Sequence, residues 1–479
     1  MLCAVSATTA DCVVGRGTIN ILPDDVLLLI FHFDRLIYLD EVRYFFRARS
    51  VFWRWHRLIH VCRRWRSVVF GSPNFLGLRL VCRPRTPMGL VGIWPPLPII
   101  VTNYLATERP MPKDYFDVVI MHPERICEIH LSLTSSQLQR LASARQEQLP
   151  ALIDLRIFFV DNQPAPTLPD GFLGGSTPRL QTLELDSIPF PALPKLLLSA
   201  TDLVHLTLGH IPHSGYFSPE ALVTGVAALA NLTYLTIGFE SPLSRPNREI
   251  RRPLQPTRII LPTLTRFQFQ GVSEYLEDVF SQIDAPLLDS IWITFFHQLV
   301  FDIPQLAQFM RRTPRFQTFN EAHVDFNDTG VQVATLPLSR ALDEKSRLRI
   351  SCKKLDWQLS SLAQVFTSFF PSIDMVEHLY IYRPRNLSQW QDDIENGQWL
   401  EILDPFTAVT GLYVCKEFAQ CITPALQGLV GERVMDVLPA LGSLFLEALQ
   451  PSGPVQEAIG QFVAARRLLG HPVAVIDWD

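Results

Sequence analysis

Three histidines, His205, His210 and His213, cluster around one short segment. Neutral imidazole is the commonest protein ligand for zinc, so the group is the first to weigh for chemistry. A tetrahedral site needs four donors, and no cysteine or acidic residue at a ligand spacing completes the set. Cys415 and Cys421, six apart, read as two small packing residues. The eight cysteines contain no C-x-x-C pair and follow no regular spacing, which suggests neither a zinc site nor a disulfide framework. A phosphate loop, a dinucleotide glycine motif, a G-x-S-x-G elbow and an H-E-x-x-H pair are all absent. Gly15-Arg16-Gly17 lacks a third glycine and a preceding strand. The expectation is a non-catalytic chain with no catalytic residues, cofactor or metal. A nucleophile and base that meet only in three dimensions remain open, and with them a hydrolase or transferase pocket. The chemistry that the sequence does offer is recognition. Arg266, Trp292, His378, Tyr380 and Tyr413 fall at alternating positions of apolar strands, and arginine and aromatic rings carry most binding energy at protein interfaces. Trp292 and Tyr380 are the expected anchors.

The elements that would position these side chains repeat along the chain. Apolar residues recur at positions 0, +3 and +5 in Ile126-Ile129-Leu131, Leu152-Leu155-Ile157, Leu180-Leu183-Leu185 and Leu203-Leu206-Leu208. The same template returns at Leu232, Leu264, Leu288, Val376, Val409 and Leu441, with Phe316-Phe319 a degenerate member and another instance near Leu348-Ile350. In a chain that is 48% hydrophobic, three apolar positions match about one site in nine by chance. The spacing carries more weight. Starts from Ile126 to Phe316 are separated by 26, 28, 23, 29, 32, 24 and 28 residues, near the period of leucine-rich repeats. Polar residues between them, such as Thr182 and Glu184 or Tyr234 and Thr236, supply the alternation of a strand with one buried face. Between strands, Glu220–Leu229, Glu274–Ile283 and Ile303–Met310 are expected outer helices. Val455–Leu469 is a closing helix, and Val473–Ile476 a last strand that would cover the end of the array.

The N-terminal texture differs. Residues 1–19 read as a flexible leader. From Ile21 onward Pro23, Asp24 and Asp25 suit the first turn of a helix that is nearly all apolar over Val26–Phe31. A second helix is expected from about Trp55 to Phe70, stopped by Gly71-Ser72-Pro73, with Asp40–Trp53 helical between them. So small a three-helix unit is marginal alone and invites a partner to complete its core.

Two segments carry a family resemblance. Leu22-Pro23-Asp24-Asp25-Val26-Leu27-Leu28-Leu29-Ile30-Phe31 resembles the opening of an F-box, and Val61-Cys62-Arg63-Arg64-Trp65-Arg66 resembles its closing helix. The tail from Leu441 to Trp478 is similar to the C-terminal ends of F-box proteins common in mushroom-forming fungi. The link from Phe33 to Val61 is longer than the F-box pattern and holds Tyr44, Phe45, Phe46, Phe52, Trp53 and Trp55. An insertion that weakens adaptor binding, a retained intron and a larger middle helix all fit it. The resemblance implies docking onto a Skp-type adaptor and through it a cullin scaffold, with Leu22, Pro23, Leu27, Ile30, Phe31, Val61, Cys62 and Trp65 supplying the apolar surface. The implied function is that of substrate receptor in an SCF-type ubiquitin ligase holding an unknown client; a degenerate F-box serving only as a scaffold stays open.

The expected fold class is therefore α/β. A three-helix F-box over residues 20–72 precedes an irregular leucine-rich-repeat solenoid over 73–479, a curved, mainly parallel sheet with outer helices, closed by a capping helix near 453–470. The 42 basic and 47 acidic residues, net −5, give no overall field to attract nucleic acid. The longest apolar runs fall short of the ~20 residues that span a bilayer, so no membrane partner is expected, and the cysteine usage fits a cytoplasmic or nuclear setting.

Overall fold

The computed structural model describes residues 21–43, 54–84, 86, 95–103, 121–144, 148–161, 163–169, 171–190, 193–246, 258–317, 319–336, 346–368, 373–383, 395–429, 431–447 and 453–478. The leader, the Gly15-Arg16-Gly17 motif, Cys3, Cys12 and residues 44–53 of the aromatic link lie outside them. The chain forms two compact units, Met1–Ile126 and Cys127–Asp479.

In the first unit, α1 (Asp24–Arg43), α2 (Arg54–Ile59) and α3 (Arg63–Gly71) precede two short parallel strands, β1 (Leu80–Cys82) and β2 (Ile99–Thr102). The helix expected from Trp55 to Phe70 is two helices. Cys62 takes extended backbone angles and its Sγ accepts the N–H of Trp65 at 3.4 Å, which restarts the helix as an N-cap. Arg64 ties α3 to the start of α1, reaching Asp24 at 2.7 Å and the carbonyl of Leu22. Leu27 and Phe31 are buried, and the Phe31 ring lies 4.7 Å from that of Trp65.

The second unit is α/β, built on a large, mainly parallel sheet with outer helices, as in a leucine-rich-repeat-like solenoid. Its strands are β3 (Ile126–Leu133), β4 (Asp154–Phe159), β5 (Thr182–Asp186), β6 (His205–Ile211), β7 (Tyr234–Phe239), β9 (Arg266–Gly271) and β11 (Ser290–Phe296), followed by β12 (Glu321–Asn327), β13 (Gly330–Leu336), β14 (Ser346–Ser351), β15 (His378–Tyr382), β16 (Gly411–Val414), β17 (Ser443–Glu447) and β18 (Ala474–Trp478). Two-residue strands β8 (Ile259–Ile260) and β10 (Ile283–Asp284) pair separately. Residue 0 of every full template instance, Ile126 through Leu441, is buried, and so are its +3 and +5 partners. These rows form one continuous core beneath α4 (Ser135–Ala144), α5 (Leu193–Ser199), α6 (Pro219–Ala227), α7 (Ser273–Phe280), α8 (Pro304–Arg312), α9 (Leu355–Ser368), α10 (Asn396–Leu403), α11 (Lys416–Gln427) and α12 (Pro454–Leu468).

Successive coils are stitched by a recurring device. At the head of many strands two neighbouring N–H groups donate to one carbonyl of the previous coil: Gln181 and Thr182 to Ile153, Val204 and His205 to Gln181, Thr233 and Tyr234 to Val204. The pattern recurs at Thr265 and Arg266 on Thr233, and at Thr410 and Gly411 on Glu377. Backbone groups of the turns are thereby satisfied without regular sequence.

One stretch departs from the expected order. Phe316-Phe319 is not a strand; Pro314–Phe316 is a 3-10 turn, and the strand starts at Glu321. The hidden instance near Leu348-Ile350 is real, as β14. The spatial order runs β11–β14–β13–β12–β15, with β13 antiparallel to both of its neighbours. The chain thus skips two places after β11 and returns by a hairpin to fill them. Parallel pairing resumes where β12 meets β15.

Candidate functional site

On the sheet face opposite the helices, register aligns one side chain from each strand. The row reads His130, Arg156, Glu184, Thr207, Thr236, Gln268, Trp292, Arg347, Ala334, His323, Tyr380, Tyr413, Phe445 and Ile476. Arg266 and His378 point to the same side, two residues back along their strands. All five side chains proposed for partner binding therefore share a face. The structure brings Tyr380 and Tyr413 into direct contact with His378 beside them; Trp292 and Arg266 lie farther along the sheet.

The row has three chemical zones. At its C-terminal end the rings of His323, Tyr380, Tyr413 and Phe445 form a ladder, with centroids 4.4, 4.2 and 4.1 Å apart and planes within 15° of parallel. Adjacent strands are roughly 4.8 Å apart, so rings at paired positions of neighbouring strands fall at stacking distance. Trp478 meets Tyr413 edge-on at 5.7 Å, and Tyr382 lies 5.9 Å from Tyr380. Gly411 admits this packing, because a Cβ there would sit 2.7 Å from Nδ1 of His378. Burial, then Glu321 and Tyr413, pushes the Tyr382 phenol up to about 12. Tyr380 is raised further, by burial first and then by Tyr413. Both hydroxyls are therefore protonated near neutral pH. Since ring faces cover one another, the ladder offers edges and hydroxyls rather than open faces on which a sugar could stack.

In the middle, the guanidinium of Arg347 lies 4.9 Å over the ring of Trp292, which is 38% exposed. At the N-terminal end the groups are ionic. Asp154 accepts from Nε and Nη2 of Arg156 at 2.9 and 3.0 Å, and His130 stands 3.4 Å away. Burial pushes the Asp154 carboxyl up, but the bonds from His130 and Arg156 outweigh it and hold it below its usual range. Burial raises Glu184, with Arg156 3.6 Å away and Asp154 and Asp186 close by.

The three histidines disperse among different partners. His205 packs near Tyr234, His210 meets Asp186 at 2.7 Å, and Nδ1 of His213 meets Ser244 at 3.4 Å. The donors of Cys415, Glu417 and Glu447 do lie within 4.8 Å of one another. Burial first, and then the contact with Glu417, pushes the Cys415 thiol up to about 12. N-ethylmaleimide at about neutral pH should modify native Cys415 at least about a hundredfold more slowly than the unfolded chain, read by peptide mapping. Comparable rates would overturn this assignment.

In the first unit the residues proposed for adaptor contact divide. Leu27 and Phe31 belong to the interior, so they offer no outward surface. Leu22, Cys62 and Trp65 are half-buried, while Pro23, Ile30 and Val61 are exposed. Ile21, Leu29, Phe33 and Phe75 are exposed as well. Leu29, Ile30 and Phe33 stand three and four apart on α1, a spacing that places them on one side of the helix.

Sequence reading missed His323, Arg347, Asp154, Arg156, Tyr382 and Trp478. The two-residue spacing of Tyr380 and Tyr382 was a usable signal. His323 was hidden when its strand was placed at Phe316-Phe319.

No known family profile and no curated protein matches the chain. Among solved structures, the leucine-rich repeat-containing protein LegL7 from Legionella pneumophila is similar over 73% of this chain and 93% of its own length, at 13% identity and a TM-score of 0.26. At that score the likeness carries no argument; the solenoid description rests on strand register and burial. Among the described residues no helix is long and apolar enough to cross a membrane.

Proposed function

We propose that this chain is a non-catalytic substrate receptor of an SCF-type ubiquitin ligase, docking a Skp-type adaptor through its helical unit and a client protein on the outward sheet face. The observation that carries the reading is the set of large apolar side chains that the helical unit leaves in water: Ile21, Leu29, Ile30, Phe33, Val61 and Phe75. So many exposed large apolar side chains on so small a unit suit a surface that a partner covers. The F-box resemblance supplies the partner's identity, with Pro23, Ile30 and Val61 as the proposed contacts among the residues it named. The aromatic ladder and the Trp292–Arg347 pair supply interface chemistry on the larger unit.

The inward turn of Leu27 and Phe31 favours a second reading, a scaffold whose F-box no longer binds the adaptor. Co-purification separates the two. The wild-type chain should recover the Skp-type adaptor, and Ile30→Asp with Val61→Asp should lower recovery by at least about tenfold while leaving the circular dichroism spectrum unchanged. Equal recovery from both, or none from the wild type, overturns the receptor reading. Substituting Leu27 would not discriminate, since a buried leucine costs about 2–5 kcal/mol of stability when removed.

A further inference from the structure

We infer that the partner covering the helical unit presents an acidic protein surface, whose Asp and Glu carboxylates are gripped by Arg57, Arg63 and Arg66. The inference rests on the reading that this unit docks an adaptor, and it adds the chemistry of the adaptor's contact face. Residues 42–107 contain eleven arginines and no lysine, aspartate or glutamate. Over the whole unit Met1–Ile126, sixteen basic residues stand against ten acidic ones. Six positive charges therefore stay unmatched within the unit however its own side chains pair. The chain is net −5, which leaves residues 127–479 at net −11. A basic unit is thus joined in sequence to an acidic one, an asymmetry that bears on what each can bind.

The fold gathers part of this excess at the junction of α2 and α3. The N–H groups of His60 and Val61 bond back to the carbonyls of Arg57 and Leu58, at 3.3 Å each, in a tight turn. Nε of Arg66 donates to the carbonyl of Ile59 at 3.1 Å, which holds an α3 arginine against the end of α2. Arg57, His60, Val61, Arg63 and Arg66 are all exposed there, Val61 by 58%. Arg64 turns the other way, committed to Asp24 and to the carbonyl of Leu22. An apolar side chain ringed by arginines has the composition of a protein interface. Each planar guanidinium matches the two oxygens of a carboxylate. Phosphate oxygens fit that fork as well, so the wider charge decides. A long polyanion or an anionic membrane must also approach a unit of net −11, whereas an acidic patch on a folded protein need touch only this ridge.

The test measures binding of the full chain to the purified Skp-type adaptor by biolayer interferometry. Raising NaCl from about 50 to about 500 mM should weaken the complex at least about tenfold. Arg57→Glu with Arg63→Glu should weaken it at least about tenfold at the lower salt and flatten the salt dependence. Both side chains are exposed, and a carboxylate at the first position of α3 suits the helix dipole, so the fold is kept. Arg311→Glu with Arg433→Glu makes the same change in net charge at exposed sites of the larger unit and should leave binding within about twofold. Adaptor binding that ignores salt and the Arg57 and Arg63 reversals overturns the inference and leaves the receptor reading standing. Equal loss from both double variants overturns it too, as does tighter binding of a poly-uridine oligonucleotide or of phosphatidylserine vesicles than of the adaptor. No adaptor binding at either salt removes the receptor reading and this inference together.

Discussion

Replacing Arg466 with alanine should destabilise the C-terminal coils by about 4 kcal/mol and release them before the rest of the array unfolds. Arg466 lies on α12 and is fully buried. Its Nη1 donates to the carbonyls of Val434 and Leu438 at 3.4 and 3.3 Å, and its Nη2 to those of Pro439 and Leu441 at 3.0 Å each. One guanidinium thus satisfies four carbonyls of the irregular turn that leads into β17. Alanine would leave these acceptors in a dry interior, each costing about 1–3 kcal/mol less what relaxation recovers. Lysine keeps the charge but not the fork, and should recover under half of the loss. Hydrogen exchange checks this directly: amides of β17 and β18 should lose protection while those of β5 and β6 keep theirs. Uniform loss along the sheet, or none, would show that Arg466 does not hold this turn.

Stability should also fall as pH rises from about 4.5 to about 7, and Glu277 should be the cause of a large part of it. Glu277, on α7, is 8% exposed and its two oxygens accept the N–H groups of Gln305 and Leu306 at 2.8 Å each, capping α8 from the neighbouring coil. Ile303, at the N-cap position of α8, makes no side-chain hydrogen bond to cap the helix. Burial outweighs those two amides and pushes the carboxyl up to about 7 from 4.5. The folded state therefore binds more protons than the unfolded one within that window. Its stabilising contribution is complete below about 4.5 and is lost as pH passes the folded value, by up to about 3 kcal/mol. Other groups titrate over the same range, so the informative quantity is the difference from Glu277→Gln. The variant should gain on the wild type by about 3 kcal/mol between pH 4.5 and 8 in urea unfolding. A difference that does not change with pH would place the Glu277 carboxyl at its ordinary value.

What the sequence disclosed was whatever repeats locally. The rows begun by Ile126, Leu152 and Leu180 and their successors were readable because burial on one face forces period two, and a coil of fixed circumference forces the spacing. The helices at Pro219–Ala227, Ser273–Phe280, Pro304–Arg312 and Pro454–Leu468 were close to their expected bounds for the same reason. The break at Cys62 was not visible, since Ile59-His60-Val61-Cys62 contains neither glycine nor proline and apolar spacing runs through it. The swapped order of β12, β13 and β14 was invisible for a deeper reason. Strands β12 and β14 alternate properly, while β13 is buried on both faces, and neither pattern says which neighbour a strand takes. Of the outward site, Tyr380, Tyr413 and Phe445 could be placed from their repeats, whereas His323 could not. That Leu27 and Phe31 turn inward was not legible, because an all-apolar helix does not reveal which side its own chain covers.

That swapped order bears on how the chain is made. While β11 is leaving the ribosome, the growing sheet can add each strand as it emerges, every coil stacking on the last. After β11 the sequence next to emerge, β12, has no adjacent place to go. Its slot lies beyond two strands not yet translated. The nascent sheet must wait at β11 until Ser351 is clear of the exit tunnel, so pausing of translation, or a chaperone, would matter most over that one interval.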